Sequence, residues 1–239
     1  MLHAIIFDFN GVLADDEAAH LHCFRQALAE HGLSLTHEEY YGRYLGMDER
    51  TCAATMLEAR DGRVDPNLHH AITARKADLF RAHTARQRPP LFPGVESFVH
   101  DAARRCRLAI ASGGRRDQID QALAGTGIEG LFDVIVSADD VSIGKPDPAI
   151  YLHTLKRLNA QRPKPPLLRA DECLVIEDSR AGIRAAKTAG MRVVAVVTTY
   201  PADQLSEADR TVPDLSDLRS DPNLWAGPLP GDRHRRPSP

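Results

Sequence analysis

Residues 4–13 have the sequence AIIFDFNGVL, which predicts the first strand of the fold and a polar site at its end. Its first four residues, Ala4–Phe7, form an apolar run that predicts a short buried β-strand. Asp8 follows at the end of that run, close to a glycine, Gly11, that lets the chain turn sharply. A carboxylate that leaves a strand end is well placed to serve as a nucleophile or a metal ligand. Two residues later, where a second carboxylate could act as a proton donor, the chain has Asn10.

The composition is that of an ordinary globular protein. The chain has 239 residues, 43% of them hydrophobic and 26% charged, with a formal net charge of −3, so it can bury one large core or two small ones. Because no basic stripe and no apolar run of membrane-spanning length occurs, neither a nucleic-acid surface nor a membrane span is expected. The four cysteines are widely spaced and Met1 leads straight into the first strand, which predicts reduced thiols in a cytoplasmic protein without a signal peptide.

Four further apolar, β-rich runs follow along the chain. They lie at residues 108–111, 134–136, 173–176 and 193–197, and helical patterns separate them. Strands that alternate with helices predict an α/β fold, a doubly wound parallel sheet of the Rossmann type with helices on both faces. Since ligands bind such sheets at the carboxyl ends of the strands, the polar residues that follow the strands are expected to meet in one place.

Residues 15–89 differ from the rest of the chain because they contain no β-rich run. A capping-box pattern begins at Thr36, a second helix start lies at Asp65, and the block ends in a proline-rich linker at residues 88–94. A helical insertion after the first strand is expected to lie over the site as a lid. The predicted division is a core domain at 1–14 and 90–219, a helical cap domain at 15–89, and a flexible tail at 220–239, rich in Pro, Gly, Asp and Arg.

Polar groups with complementary chemistry follow the predicted strands. They are Asp8 with Asn10, Ser112 with Gly113, Lys145 in the sequence GKPD, and Glu177 with Asp178. Three converging carboxylates cannot all stay ionised in a partly dry cleft without a cation, and Mg²⁺ is the simplest ion with the required preference for oxygen ligands. Ser112 and the amides after it open a helix and form a cradle for phosphate, to which Lys145 adds a positive charge. Together these groups predict phosphoryl transfer to a carboxylate.

Four motifs in this order resemble those of the haloacid dehalogenase superfamily. They are DxxGVL at 8–13, the Ser-Gly cluster at 112–114, GKPDP at 144–148 and EDSxAGI at 177–183. Within that superfamily the chain is similar, over roughly residues 1–215, to the phosphatases and β-phosphoglucomutases that carry a helical cap after the first strand. The resemblance implies that Asp8 is a nucleophile that forms an aspartyl-phosphate, and that Ser112 and Lys145 bind the phosphoryl group. The Mg²⁺ ligands that it implies are Asp8, the backbone carbonyl of Asn10, Glu177 and Asp178.

In the cap, the similarity to the β-phosphoglucomutases extends to His20, Lys76 and Gly46, which are candidate substrate-binding residues. That family has an arginine for the substrate phosphate shortly after the glycine, whereas this chain has Glu49 and then Arg50. Arg50 is the candidate replacement, although an offset of one residue turns a helical side chain by ~100°. Near the phosphate cradle, Gly113 and Arg115 are the candidate substrate contacts.

Asn10 is the larger departure from the family pattern. The aspartate of the family at this position protonates the leaving oxygen and later activates water, and an amide has no proton to exchange at neutral pH. Three explanations are open. In the first, the residue was exchanged to trap an intermediate. In the second, a natural enzyme acts on esters with good leaving groups, or recruits Asp16 or His20 as the acid. In the third, the protein binds phosphoesters without turnover.

The function predicted from these features is a Mg²⁺-dependent phosphohydrolase for a small phosphorylated metabolite, slow because of Asn10. The alternatives are a sugar-phosphate mutase that resembles β-phosphoglucomutase and a catalytically silent protein that binds phospho-ligands. The residue pattern indicates neither the substrate nor the oligomeric state.

Overall fold

The computed structural model describes residues 2–163, 165–220 and 224. Within them, six parallel strands form one sheet in the order β3-β2-β1-β4-β5-β6. The strands are β1 Ala4–Phe7, β2 Arg107–Ala111, β3 Val134–Val136, β4 Cys173–Glu177, β5 Arg192–Val196 and β6 Arg210–Val212. The predicted doubly wound α/β fold is therefore confirmed. The predicted tail at 220–239 lies outside the described residues, apart from Ser220 and the buried Leu224.

The position of β1 at the centre of the sheet determines where the site lies. Ile6 of β1 is paired with Ala109 of β2 on one side and with Val175 of β4 on the other. Because the three strands are parallel and in register, the residues after each of them emerge at the same edge. All four residues of β1 are fully buried, and they alternate between two apolar clusters on the two faces of the sheet, as a doubly covered parallel sheet requires.

The helices begin at the signals that the sequence contains. Thr36 forms the predicted capping box with Glu39, Asp65 caps its helix by accepting from Asn67 and Leu68, and Ser179 caps the helix after β4. The helices are α1 Glu17–Ala29, α2 His37–Glu39, α3 Glu49–Asp61, α4 Pro66–Arg86, α5 Val95–Ala103, α6 Arg116–Leu123, α7 Ala149–Gln161, α8 Arg180–Thr188 and α9 Leu215–Arg219. None of them, in the part of the chain described, combines the length and the apolar character that a membrane crossing requires.

Helices α1 to α4 form a block over the carboxyl edge of the sheet, in the segment where the sequence predicts a cap. Polar contacts join this block to the strand layer: the Tyr200 hydroxyl donates to the carbonyl of Leu45 at 2.9 Å, and the Thr84 hydroxyl donates to Gln121 at 3.0 Å. The block therefore closes the site from above. Its status as a separate domain that moves as a unit stays a prediction.

Strand β6 is the element that the sequence did not indicate. Its three residues, Arg210–Val212, contain a single aliphatic side chain and show no apolar run. The strand forms because its backbone pairs with the edge of β5, where Val196 lies opposite Val212. Backbone pairing at a sheet edge leaves no trace in the residue pattern, so only the assembled sheet shows it.

Candidate active site

Asp8 and Lys145 meet at the carboxyl edge of the sheet. The backbone amide of Asp8 donates to the carbonyl of Ile176, which continues the pairing of β1 with β4 for one more residue. The Lys145 ammonium lies 2.8 Å from Asp8 Oδ1 and 2.6 Å from Glu177 Oε1, so it holds both carboxylates. The three side chains are almost completely removed from solvent. The structure thus brings together the residue after β1, the last residue of β4 and a lysine from the loop before α7.

Glu177 is held by donors on both of its oxygens. Oε1 accepts from Lys145 and from the Tyr151 hydroxyl at 2.9 Å, whereas Oε2 accepts from the amides of Asp178 and Ser179 and from the Ser179 hydroxyl. The sequence analysis missed Tyr151, because a tyrosine within a helical pattern carries no sign that it points at a carboxylate. These five donors hold the Glu177 side chain in place. The carboxylates of Asp8 and Asp178 have fewer partners and are therefore more available to a metal ion.

The electrostatics of the cluster reflect its burial. Burial raises the pKa of Asp8 to about 7, since the opposing effect of Lys145 is partly cancelled by the Glu177 carboxylate. Burial, with Glu177 and Asp8 as like charges, raises the pKa of Asp178 well above its usual range. Burial also acts to raise the pKa of Glu177, but Lys145 and the hydrogen bonds from Ser179 lower it on balance. Two of the three carboxylates therefore hold a proton more tightly than in an open chain.

This donor set fits a hard divalent cation. Asp8, Glu177 and Asp178 offer carboxylate oxygens that all lie within 4.8 Å of one another, and among the described residues Lys145 is the lysine paired with them. Gly11 has a positive φ of 76°, and a Cβ there would lie 2.0 Å from Asp178 Oδ2, so this glycine keeps the space at the cluster open. Carboxylate and carbonyl oxygens are the ligands that Mg²⁺ prefers. The backbone carbonyl of Asn10 stays a predicted ligand.

We expect Mg²⁺ to stabilise the protein, and to do so more at pH about 8 than at pH about 5. The pKa of Asp8 rises from 3.8 to about 7, so between these values the folded chain binds more protons than the unfolded chain and its stability falls as the pH rises. A cation that takes the place of the proton on Asp8 compensates for this loss of stability. Thermal unfolding with Mg²⁺ and with a chelator, at both pH values, measures the effect. An increase in Tm that is equal at the two pH values would contradict the expected competition between proton and metal.

Gly182→Ala should destabilise the protein by about 1–3 kcal/mol. A Cβ at this position in α8 would lie 1.6 Å from Glu177 Oε1, and the Glu177 carboxylate is held by five donors and cannot move without losing them. Gly42→Ala is the matched control, because a Cβ there meets no atom within 4 Å. Denaturant unfolding of both variants checks the difference. Equal free energies of unfolding would show that the Glu177 side chain tolerates displacement.

The Asn10 side chain lies at the centre of a second polar network. Its Nδ2 donates to Asp16 Oδ2 at 2.6 Å, and its Oδ1 accepts from the Ser112 hydroxyl at 3.1 Å. The same hydroxyl accepts from the amide of Gly114 at 3.0 Å, so Ser112 opens the predicted phosphate cradle and also orients Asn10. Asp16 is buried, and its Oδ1 accepts no hydrogen bond from the described residues. The carboxylate missing at position 10 is therefore present next to it in space, at position 16.

His20 joins this network to a buried ion pair. Lys76 Nζ lies 2.6 Å from His20 Nδ1 and is ion-paired with Glu49. Because a lysine ammonium has only donors, Nδ1 is the acceptor and the neutral ring carries its hydrogen on Nε2. Nε2 lies 3.1 Å from the amide nitrogen of Asn10 and 3.5 Å from Asp16 Oδ2, so the ring extends the polar network of Asn10. The contact with Lys76 therefore determines the tautomer of the ring.

Lys76 itself is completely buried and does not line the cavity. Its ammonium lies 4.6 Å from the centre of the Phe80 ring, and the same ring stacks on His20 at 4.1 Å. Predicted as a substrate-binding residue, Lys76 reaches a ligand in this conformation only through Glu49 and His20.

A cavity of about 60 Å³ lies between the helical block and the sheet edge. The cavity is lined by residues that the sequence analysis selected as site residues, namely Asp8, Asn10, His20, Gly46, Gly113, Lys145 and Asp178. The cap contributes residues that the sequence analysis did not select, namely Glu17, Tyr40, Asp48 and Glu49. Glu49 had appeared only as a departure from a family pattern. The folded helices were needed to show that these carboxylates face the cavity.

Arg50 and Arg115 line a neighbouring cavity of about 190 Å³ instead. Arg50 is mostly exposed and lies 3.9 Å from Asp139, and Arg115 is paired with Asp117 at 3.4 Å. The two cavities share Asp48, Glu49 and Gly113 as a common wall. The two arginines, predicted to bind substrate, thus lie beyond the inner cavity rather than in it.

Comparisons with known proteins agree with this architecture. The chain matches the family model for haloacid dehalogenase-like hydrolases over residues 5–196. It is 35% identical to the protein CbbY of Rhodobacter capsulatus, over 90% of this chain and 94% of that protein. It is 32% identical to a phosphorylated carbohydrates phosphatase of Thermotoga maritima, over 82% of this chain and 86% of the relative. A mutant of CbbY from Rhodobacter sphaeroides, solved in complex with xylulose (1,5)-bisphosphate, is 28% identical with a TM-score of 0.79, over 91% of this chain and 96% of that one.

The family model spans most of the chain, from the first strand to the end of β5. The parallel sheet order, the acidic residues after β1 and β4 and the helices inserted after β1 agree with that match. The protein therefore belongs to the haloacid dehalogenase-like hydrolases, in the branch of capped phosphatases and β-phosphoglucomutase-like enzymes.

Proposed function

We propose that the protein is a Mg²⁺-dependent phosphohydrolase that acts on a small phosphorylated sugar through an aspartyl-phosphate at Asp8. The observation that carries this proposal is the buried set of Asp8, Lys145, Glu177 and Asp178 at one strand edge, beneath a small cavity that the helical block covers. The sugar class is supported by the relatives, one of which is a phosphorylated carbohydrates phosphatase and another of which binds xylulose (1,5)-bisphosphate.

In the proposed reaction, a carboxylate oxygen of Asp8 attacks phosphorus and the bond from phosphorus to the ester oxygen breaks. The leaving alkoxide takes up one proton. Water then attacks the phosphorus of the aspartyl-phosphate, which releases inorganic phosphate and restores the Asp8 carboxylate. Lys145, 2.8 Å from Asp8, acts against the effect of burial by favouring the ionised carboxylate, and it offsets the repulsion between that carboxylate and the incoming phosphate. The bound cation, held by Asp8 and Asp178, would supply further charge neutralisation for the phosphoryl group.

Asn10 makes the proton transfers of this reaction slow. Its amide can donate a hydrogen bond to the leaving oxygen but cannot release a proton, and the loss of a general acid or base typically costs about 10²–10⁴-fold in rate. The hydroxyl of Ser112 and the Asp16 carboxylate hold the amide in place, so the site is preorganised around the residue that it has. Esters with good leaving groups, which need no proton at the departing oxygen, should suffer least.

Phosphate release from a panel of sugar phosphates, assayed with Mg²⁺ and with a chelator, tests the proposed function. Release that requires Mg²⁺ supports the phosphohydrolase. Turnover of a hexose 1-phosphate only when a sugar bisphosphate is added would support the mutase instead. Binding of phosphate mimics without release from any ester, including p-nitrophenyl phosphate, would support a silent binding protein and overturn the proposal.

A further inference from the structure

We propose that Glu49 is a specificity-determining residue that accepts hydrogen bonds from hydroxyl groups of the leaving group, so that the site selects polyhydroxylated phosphomonoesters over esters without hydroxyls. This inference rests on the proposed function. It extends that function from recognition of the phosphate to recognition of the leaving group.

Glu49 is presented to the cavity by the start of α3. It is the first residue of that helix, after the capping residue Asp48, and its side chain is only 12% exposed. A carboxylate is favoured at the first turn because the amides there are unpaired. Glu49 thus occupies a position that its own helix stabilises, on the part of the cavity wall that the helical block contributes.

The partners of Glu49 hold it in place without using both of its oxygens. Lys76 and the Gln118 amide both approach Oε1, the latter at 3.2 Å, and no described residue donates to Oε2. Burial acts to raise the pKa of Glu49, but the charge of Lys76 and the hydrogen bonds from Lys76 and Gln118 lower it on balance, so the side chain remains an ionised acceptor. A buried anion with a free oxygen on a cavity wall calls for a donor from the ligand.

The rest of the cap wall has the same chemistry. Glu17 also lines the cavity as a carboxylate, whereas the oxygens of Asp48 there cap α3. No arginine or lysine side chain of the helical block is among the described residues that line the cavity. The phosphate end of a ligand already has its cation in Lys145 and its amides after Ser112. The remaining end therefore meets a wall rich in acceptors. Hydroxyl groups are the neutral donors that match such a wall, and sugars and polyols carry several of them.

The test compares Glu49→Gln with the unaltered protein on two esters, fructose 1-phosphate and p-nitrophenyl phosphate, the second of which has no hydroxyl on its leaving group. We expect the ratio of the two kcat/KM values, sugar over nitrophenyl ester, to fall on the order of 10-fold to 100-fold in the variant, the range for one hydrogen bond to a charged group. Glu58→Gln, the same exchange at an exposed position of α3, should leave the ratio unchanged.

A purely structural role for Glu49, as the partner of Lys76, would lower both kcat/KM values in parallel and leave the ratio as it was. That result would overturn the inference. Glu49→Asp guards against a folding defect, because it keeps the negative charge beside Lys76 while it withdraws the carboxylate from the cavity, and it should also lower the ratio. An unchanged ratio in a folded Glu49→Asp protein would contradict the assignment as well.

The proposed function and this inference fail in different ways. If neither ester is hydrolysed, the proposed phosphohydrolase function is wrong. The role of Glu49 is then tested by calorimetry, which compares the binding of fructose 1-phosphate and phenyl phosphate in the presence of Mg²⁺. Tighter binding of the sugar ester that is lost in Glu49→Gln would still support the role of Glu49. Equal binding of the two esters by the unaltered protein would overturn it.

Discussion

The double exchange Asn10→Asp with Asp16→Asn should raise the turnover of sugar phosphates on the order of 10²-fold to 10⁴-fold. A carboxyl group at position 10 can give its proton to the leaving oxygen and recover one from water. The second exchange places the amide at position 16 and leaves the carboxylate at position 10. The two side chains can therefore keep their 2.6 Å hydrogen bond, and the net charge of the site does not change. The Ser112 hydroxyl can donate to a carboxylate oxygen as it does to the amide oxygen.

The single exchange Asn10→Asp should give a smaller gain. It would bring two carboxylates into contact at the place where the amide of Asn10 now donates to Asp16, and like charges at that distance cannot both be ionised. Steady-state rates on fructose 1-phosphate and p-nitrophenyl phosphate measure both effects, and the gain should be larger for the sugar ester because its alkoxide is the poorer leaving group. Asp15→Asn, at an exposed neighbouring position, is the control and should have no effect.

The same set of variants can reject this explanation. If the double variant gains nothing while Asp16→Asn alone loses most of the activity, then Asp16 already carries the proton. In that case Asn10 is an integral part of a relay and no longer a defect. The result would leave the role of Asp8 intact but would remove the expectation of a slow enzyme.

Asp8→Asn should abolish phosphate release, with a loss of about 10⁴-fold or more. An amide does not attack phosphorus, and the exchange also removes the ion pair with Lys145 at 2.8 Å and one of the three carboxylates of the acidic cluster. The protein should still fold, because the mutated side chain lies at the edge of the sheet and keeps its backbone hydrogen bond to Ile176. Phosphate release and thermal unfolding, measured together, separate a chemical defect from a structural one.

A covalent intermediate provides the second measurement on Asp8. Acid-quenched protein should gain the mass of one phosphoryl group on the peptide that contains Asp8 when it is incubated with a reactive phosphoester, and the slow step caused by Asn10 should help this species to accumulate. The Asp8→Asn variant should gain none. A folded Asp8→Asn protein that keeps a substantial fraction of the activity, or a label on another peptide, would show that a different nucleophile acts.

Much of this site could be predicted because it depends on short segments of the chain. Asp8, Ser112 and Glu177 each stand beside a strand that has an apolar run, and parallel strands deliver such residues to one edge whatever the details of packing. Capping residues such as Thr36 and Asp65 act on amides two or three positions away, so their effect is also local. The fold class, the buried acidic cluster and the lysine beside it are of this kind.

The selectivity of the site depends instead on contacts between residues far apart in sequence. Glu49 meets Lys76 and Gln118 only because α3, α4 and α6 converge, and Asn10 finds its missing carboxylate in Asp16 only because the chain folds back over the strand end. Tyr151 reaches Glu177 in the same way. The sequence by itself thus determined the sheet and the phosphate chemistry at its edge, since periodicity and strand-end position are local properties. The tertiary structure alone decided which side chains complete the cavity, because the direction of a side chain on a packed helix depends on how the helices cross.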